Sequence, residues 1–149
     1  MKIKEELRSL IKAVEGGMAC ILISSEGEAI DPHGETVAVG ISVTGDLEDD
    51  VRRHLQHRKE RVRAVLFVRP TRQLDRHCLR GAGDAVALAD GVKGMIRNFT
   101  KRHGAKRMLL YYLGPLSAAC FIGHRLNAIC REIQVMEWSD PDYVPSFTL

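Results

Sequence analysis

Residues 107–138, RMLLYYLGPLSAACFIGHRLNAICREIQVMEW, constrain the fold more than any other stretch. They read as strand, glycine–proline turn, helix, strand. The run 107–113 is apolar and aromatic, has the length of a strand, and is bounded by a basic segment and by Gly114. Pro115 suits the first helical position, where its missing amide would have had no partner. Gly114 then caps the helix with no side chain in the way. The helix, residues 116–128, is apolar on nearly all sides through Ala118, Ala119, Cys120, Phe121 and Ile122, the pattern of a buried helix. Gly123 inside it allows close approach to a sheet. Residues 133–138 form the next strand. Strands joined by a helix with short links are parallel, with a right-handed crossover. The helix start therefore faces the carboxyl end of the first strand, where open α/β sheets bind ligands. Its free amides attract anions, phosphate above all.

The rest of the chain extends this pattern. Residues 3–14 place Ile3, Leu7, Leu10, Ile11 and Val14 at helical spacing, and Gly16-Gly17 stops that helix. A short strand over 18–23 precedes a turn-rich loop over 26–34, and the β-branched run 35–44 is a second strand closed by Gly45. Asp46 caps a helix reaching about Gln56, with Leu47, Val51 and Leu55 on one face. Residues 62–68 (VRAVLFV) read as a central parallel strand. Residues 69–83 are a long polar loop. Asp84 caps a long helix to about His103, with a stripe of Leu88, Val92, Met95, Ile96 and Phe99, and Gly104 ends it. The tail SDPDYVPSFTL, with Pro141 and Pro145, reads as irregular and tied to the body by Tyr143 and Phe147. The expectation is one domain over residues 1–149. Its fold class is α/β, a three-layer Rossmann-like open sheet, mostly parallel, of about five strands with four helices on both faces.

Composition removes several classes. No apolar run approaches the roughly 20 residues that a membrane span needs, and the charged amphipathic start lacks a signal-peptide core, so the expected compartment is cytoplasmic. Cys20, Cys78, Cys120 and Cys130 are scattered without a CxxC pair, so they read as small buried hydrophobes rather than metal ligands or disulfides. The net charge is only +3, but arginines cluster at Arg69, Arg72, Arg76 and Arg80 within the long loop.

No GxGxxG, P-loop or GxSxG motif is present. Gly81-Ala82-Gly83-Asp84 opens a helix and reads more readily as a turn than as a phosphate cradle. His54 and His57 are three apart on a helix but lie among Arg52, Arg53, Arg58 and Lys59, which points to a solvated basic helix rather than a metal site. His77 stands with Arg72, Asp75, Arg76 and Arg80, where arginines clamp phosphates and a histidine moves a proton. Thr44, Arg69 and Gly114-Pro115 each fall at a carboxyl strand end, and Ser117 lies in the first turn of the following helix. Three such ends converging on one face make a binding crevice. The candidate ligand-binding set is therefore Thr44, Arg69, Arg72, Arg76, His77, Arg80, Gly114, Pro115 and Ser117, with no cofactor or metal and no catalytic residue assigned. Trp138 and Tyr143 are candidates to stack on a base, with packing their commoner use.

The segments LLYYLGPLSAACFIGHRLNA, IQVMEW and DYVPSFTL resemble the C-terminal part of SAVED domains, relatives of the CARF sensor domains. The family pattern falls on Gly114-Pro115, Gly123, Asn127, Trp138 and Tyr143. VAVGISVTGDLEDDVRRHL is similar to the preceding strand and helix, so the resemblance covers residues 36–149. It implies recognition of a cyclic oligonucleotide in bacterial antiphage signalling, of the CRISPR type III or CBASS kind, with neither a membrane nor a long nucleic acid as partner. Members usually carry an effector and often assemble when the messenger binds, which implies a homo-oligomer; this sequence departs from the pattern, leaving no room for an effector and looking shorter than a SAVED domain built from two CARF-like units. A second copy is then expected to complete the ligand site, and a separate effector protein to listen. The alternative that the resemblance leaves open is a ring nuclease cleaving cyclic oligoadenylate without metal, with His77 and the loop arginines as its candidates.

Overall fold

The computed structural model describes residues 9–15, 18–28, 31–57, 61–71 and 73–149. In chain order the elements are β1 (Ser9–Glu15), β2 (Met18–Glu28), β3 (Thr36–Ser42), α1 (Glu48–His57), β4 (Ala64–Pro70), α2 (Ala82–His103), β5 (Arg107–Leu113), α3 (Leu116–Arg125), β6 (Glu132–Ser139) and β7 (Asp142–Thr148). The strands form one seven-stranded sheet in the order β1-β2-β4-β3-β5-β6-β7.

The α/β sandwich is as expected, but the sheet is mixed rather than mostly parallel. β4, β3, β5 and β6 run parallel, whereas β1, β2 and β7 extend the two sides antiparallel. The parallel strands alternate their side chains between two cores, as the strand period of two requires. Val37, Val39, Ile41, Leu66 and Val68 face α2 and α3. Ala38, Val65, Phe67, Leu109 and Tyr111 face α1.

There are seven strands and three helices among the described residues, not five and four. The expected helix over 3–14 is a strand wherever it is described, because β1 pairs with β2 from Ser9↔Ser24 to Glu15↔Met18. Three apolar positions, Leu10, Ile11 and Val14, fit either period in so short a run, and an open sheet edge decides the matter. The remainder of that helix, and the Gly16-Gly17 stop, lie outside the described residues. β2 also runs on to Glu28, into the expected 26–34 loop, because β4 pairs with it along its length.

The tail is likewise a strand. Pro145 lies on the outermost strand opposite Met136, at a register irregularity, where a proline does least harm. Tyr143 is buried, as expected, edge-on to Tyr111 at 4.9 Å and to Trp138 at 5.1 Å. Phe147, expected to be a second tie, is exposed. The second tie comes instead from α1. His54 is buried and not solvated; its Nδ1 lies 2.7 Å from Asp142 Oδ1, which also accepts the Tyr143 amide at 2.8 Å.

Two stability predictions follow from these contacts. Leu109 is fully buried under α1, so Leu109→Ala should cost about 2–5 kcal/mol in urea unfolding. Burial pushes the Asp142 carboxyl up, but the Tyr143 amide and then His54 outweigh it and hold it below its ordinary value. Such a depressed carboxylate stabilises above its unfolded pKa, about 3.9, and loses that contribution as pH falls through its folded value. The urea midpoint of the native chain should therefore exceed that of Asp142→Asn at pH 5, with the gap closing as pH falls through the folded value; a pH-independent gap would show that charge plays no part.

Candidate functional site

β4, β3 and β5 are parallel neighbours, so their carboxyl ends at Pro70, Ser42 and Leu113 share one rim of the sheet. From there α1 leaves β3 for one face and α3 follows β5 onto the other. The gap between β3 and β5 is thus a topological switch point, where such sheets open a crevice. Its two sides are joined: the Val43 and Thr44 amides both donate to the Leu113 carbonyl, at 2.8 and 3.2 Å.

The Gly114-Pro115 corner completes this joint in a way the sequence did not predict. The N-cap of α3 is Pro115, with φ −69° and ψ 146°, not Gly114. Gly114 is needed for space. A Cβ there would lie 2.5 Å from Tyr112 Oη and 3.0 Å from Val43 Cβ. The Tyr112 hydroxyl donates to the Pro115 carbonyl at 2.7 Å, and burial raises its pKa, so it keeps the proton it donates. No side chain caps α3 and no acid stands in its first turn. Leu116 and Ser117 are exposed, so the helix start opens to solvent.

α3 is shorter and less buried than expected. It ends at Arg125, and only Ala118 and Ile122 are buried. It covers the sheet with one stripe while Leu116 and Cys120 face outwards. Gly123 has no atom within 4 Å of where a Cβ would stand, so it makes no close approach.

The start of α1 is the opposite case. Asp46 Oδ1 accepts the Glu48 amide at 2.9 Å and Ser42 Oγ accepts the Leu47 amide at 3.1 Å. Glu48, Asp49 and Asp50 fill the first turn. Beside it lies a cleft of about 240 Å³, walled by Ile23 and Phe67, with Ser25, Ser42, Asp46, Glu48 and Arg69 as its polar lining. Arg69 is half-exposed, its guanidinium 3.9 Å from Asp46. Glu48 pairs with Arg52, whose guanidinium carbon sits 5.5 Å from the centre of the Phe67 ring. Burial foremost raises the Glu48 pKa. Of this lining the sequence singles out only Arg69 as a site residue. Asp46 was read as a cap alone, and nothing local marks Ser25 or Ser42, which β2 and β3 bring in from different parts of the chain.

The expected site residues fall into three places. Thr44, Gly114, Pro115 and Ser117 lie at the β3–β5 joint. Arg69 lies at the cleft. Arg76, His77 and Arg80 belong to the loop between β4 and α2, where Gln73, Asp75, His77, Cys78 and Arg80 line a separate hollow of about 380 Å³. Arg72 lies outside the described residues. Asp75 Oδ1 accepts the His77 amide at 2.8 Å, leaving the Arg76 and His77 side chains exposed. Asp84 is not the N-cap of α2; Gly81 is, and Asp84 reaches back to accept the Arg80 amide at 3.0 Å.

This fold has known counterparts. The family model of the SMODS-associated and fused to various effectors sensor domain, SAVED, matches residues 17–149. The chain belongs to the SAVED family. A curated relative, CD-NTase-associated protein 4 of Acinetobacter sp. (strain ATCC 27244 / 9458), is 29% identical over 123 residues, covering 82% of this chain and 25% of the relative. The Acinetobacter baumannii Cap4 SAVED/CARF-domain receptor, solved with the cyclic trinucleotide 2′3′3′-cAAA, matches with a TM-score of 0.66 at 19% identity, covering 99% of this chain and 28% of that one. The same receptor with 3′3′3′-cAAA gives 0.67 at 20% identity, covering 93% and 32%. The Moraxella osloensis Cap4 receptor gives 0.57 at 19%, covering 94% and 30%. This SAVED chain thus spans about a quarter to a third of the relatives it matches. No described helix is long and apolar enough to cross a membrane.

The glycine corner can be tested directly. Gly114→Ala should destabilise the chain by about 1–3 kcal/mol through overpacking. Adding Tyr112→Phe, which removes the nearest atom, should restore part of that loss in a double-mutant cycle read by urea unfolding. Strict additivity would mean that the two residues do not compete for this space.

Proposed function

We propose that this SAVED domain is a sensor that binds a cyclic oligonucleotide through its phosphates at the β3–β5 rim. The observation that carries the reading is the start of α3. It is open to solvent, uncapped by any side chain and free of acidic residues, at the switch point of a SAVED-family sheet. Helix amides there offer an anion both hydrogen bonds and the positive end of the dipole. Thr44 and Ser117 add hydroxyls. Arg72, Arg76 and Arg80 supply charge-assisted bonds. The relatives solved with cyclic trinucleotides support this ligand class. The CD-NTase-associated relative favours the CBASS setting over CRISPR type III. A second copy of the chain completes the enclosure, and a separate effector reads the bound state. His77 stands exposed with no reacting partner assigned, so binding rather than ring cleavage is the reading preferred.

Calorimetric titration with 3′3′3′ cyclic tri-adenylate tests this. Arg76→Ala combined with Arg80→Ala should weaken binding about tenfold or more, the loss expected for charge-assisted bonds. Unchanged affinity in that variant removes the loop from the site. Native mass spectrometry of the mixture should show two chains per ligand, and chromatography after long incubation should return the ring intact.

A further inference from the structure

The two helix starts on the rim are electrostatic opposites, and the cleft sits on the acidic side. Asp46, Glu48, Asp49 and Asp50 crowd the start of α1, where they have already taken up its dipole and one of its amides. A phosphate is repelled from this place. A neutral group that brings hydrogen-bond donors is not.

The cleft is built for such a group. Ile23 and Phe67 give it apolar walls, against which a flat ring is desolvated. Ser42 is 4% exposed, and its oxygen already accepts the Leu47 amide, which leaves the hydroxyl proton to give. Asp46 is held only loosely by Arg69, at 3.9 Å, so its carboxylate has acceptor capacity to spare. The planar guanidinium of Arg69, half-exposed beside the cleft, can cover the face of an aromatic ring. At about 240 Å³ the space is smaller than the roughly 300–1,000 Å³ that hold whole drug-sized ligands. It admits one substituent of a ring, not the ring.

We infer that the cleft between β2, β4 and the start of α1 takes a single nucleobase bearing an exocyclic amine, with Asp46 accepting from that amine and Arg69 covering the ring. The inference rests on the cyclic-oligonucleotide reading above and adds to it the subsite that reads base identity. Phosphates and base then address opposite sides of one rim.

The test compares 3′3′3′ cyclic tri-adenylate with cyclic tri-inosinate, in which a carbonyl replaces each amine and the neighbouring N1 gains a proton, by calorimetric titration of the full chain. The native chain should bind the adenine ring about tenfold or more tightly, since the inosine carbonyl stands where the amine met the carboxylate and the proton that inosine gains lies one position away, on N1. Asp46→Asn should lose most of that preference, because its amide can donate to the carbonyl. Asparagine caps a helix as well as aspartate, so this variant keeps the fold. Equal binding of both rings by the native chain overturns the inference and leaves the messenger reading standing, as does an unchanged preference in Asp46→Asn. Binding of neither ring overturns the messenger reading and the subsite together.

Discussion

The Leu113 carbonyl accepts hydrogen bonds from the amides of both Val43 and Thr44, and the shape of the rim depends on that pair. The parallel register sets Ser42 level with Leu113, so β3 and β5 end at the same height. Beyond them the chain must divide, one branch to α1 and the other to α3, on opposite faces. Two amides donating to one carbonyl hold the branches together where they would otherwise splay. Gly114 follows at once and lets Val43 and Tyr112 close over it without a Cβ between them. The start of α3 is therefore stationed at the crevice by backbone, not by a mobile side chain.

The rim is also polarised. α1 and α3 both begin at carboxyl strand ends, and each carries the same partial positive charge there. At α1 the sequence spends that charge on its own carboxylates. At α3 it leaves the charge to solvent, and the Tyr112 phenol satisfies the Pro115 carbonyl behind it. Identical backbone devices thus present an acceptor-rich side and an anion-seeking side on either side of one joint. A ligand carrying both phosphates and donor groups would meet them in one orientation.

The parts of the fold that the sequence made legible are those whose signal is local. VRAVLFV and RMLLYYL are strand-length apolar runs, and no helix could have buried them on one face alone. The stripe through Leu88, Val92 and Phe99 has the period of a long helix. What went astray was decided by neighbours. Leu10, Ile11 and Val14 suit a helix until β2 offers an edge. Pro145 argues against a strand until β6 provides an irregular register to receive it. His54 lies among arginines in the sequence, yet Asp142, 88 residues further on, makes it an internal pin. α3 is apolar enough to be buried, but one face of the sheet is already occupied by α2, and only a stripe of α3 finds cover.

The sequence by itself determined the α/β alternation, the parallel centre and the Gly114-Pro115 corner, because strand runs, helical stripes and turn residues act within a few positions of one another. Tertiary structure alone decided that the sheet is mixed, that the tail joins it, and that Ser25, Ser42, Asp46 and Arg69 line one cleft. Those outcomes follow from which edges pair and which strand ends come level, and pairing between distant segments leaves no mark in either segment taken alone.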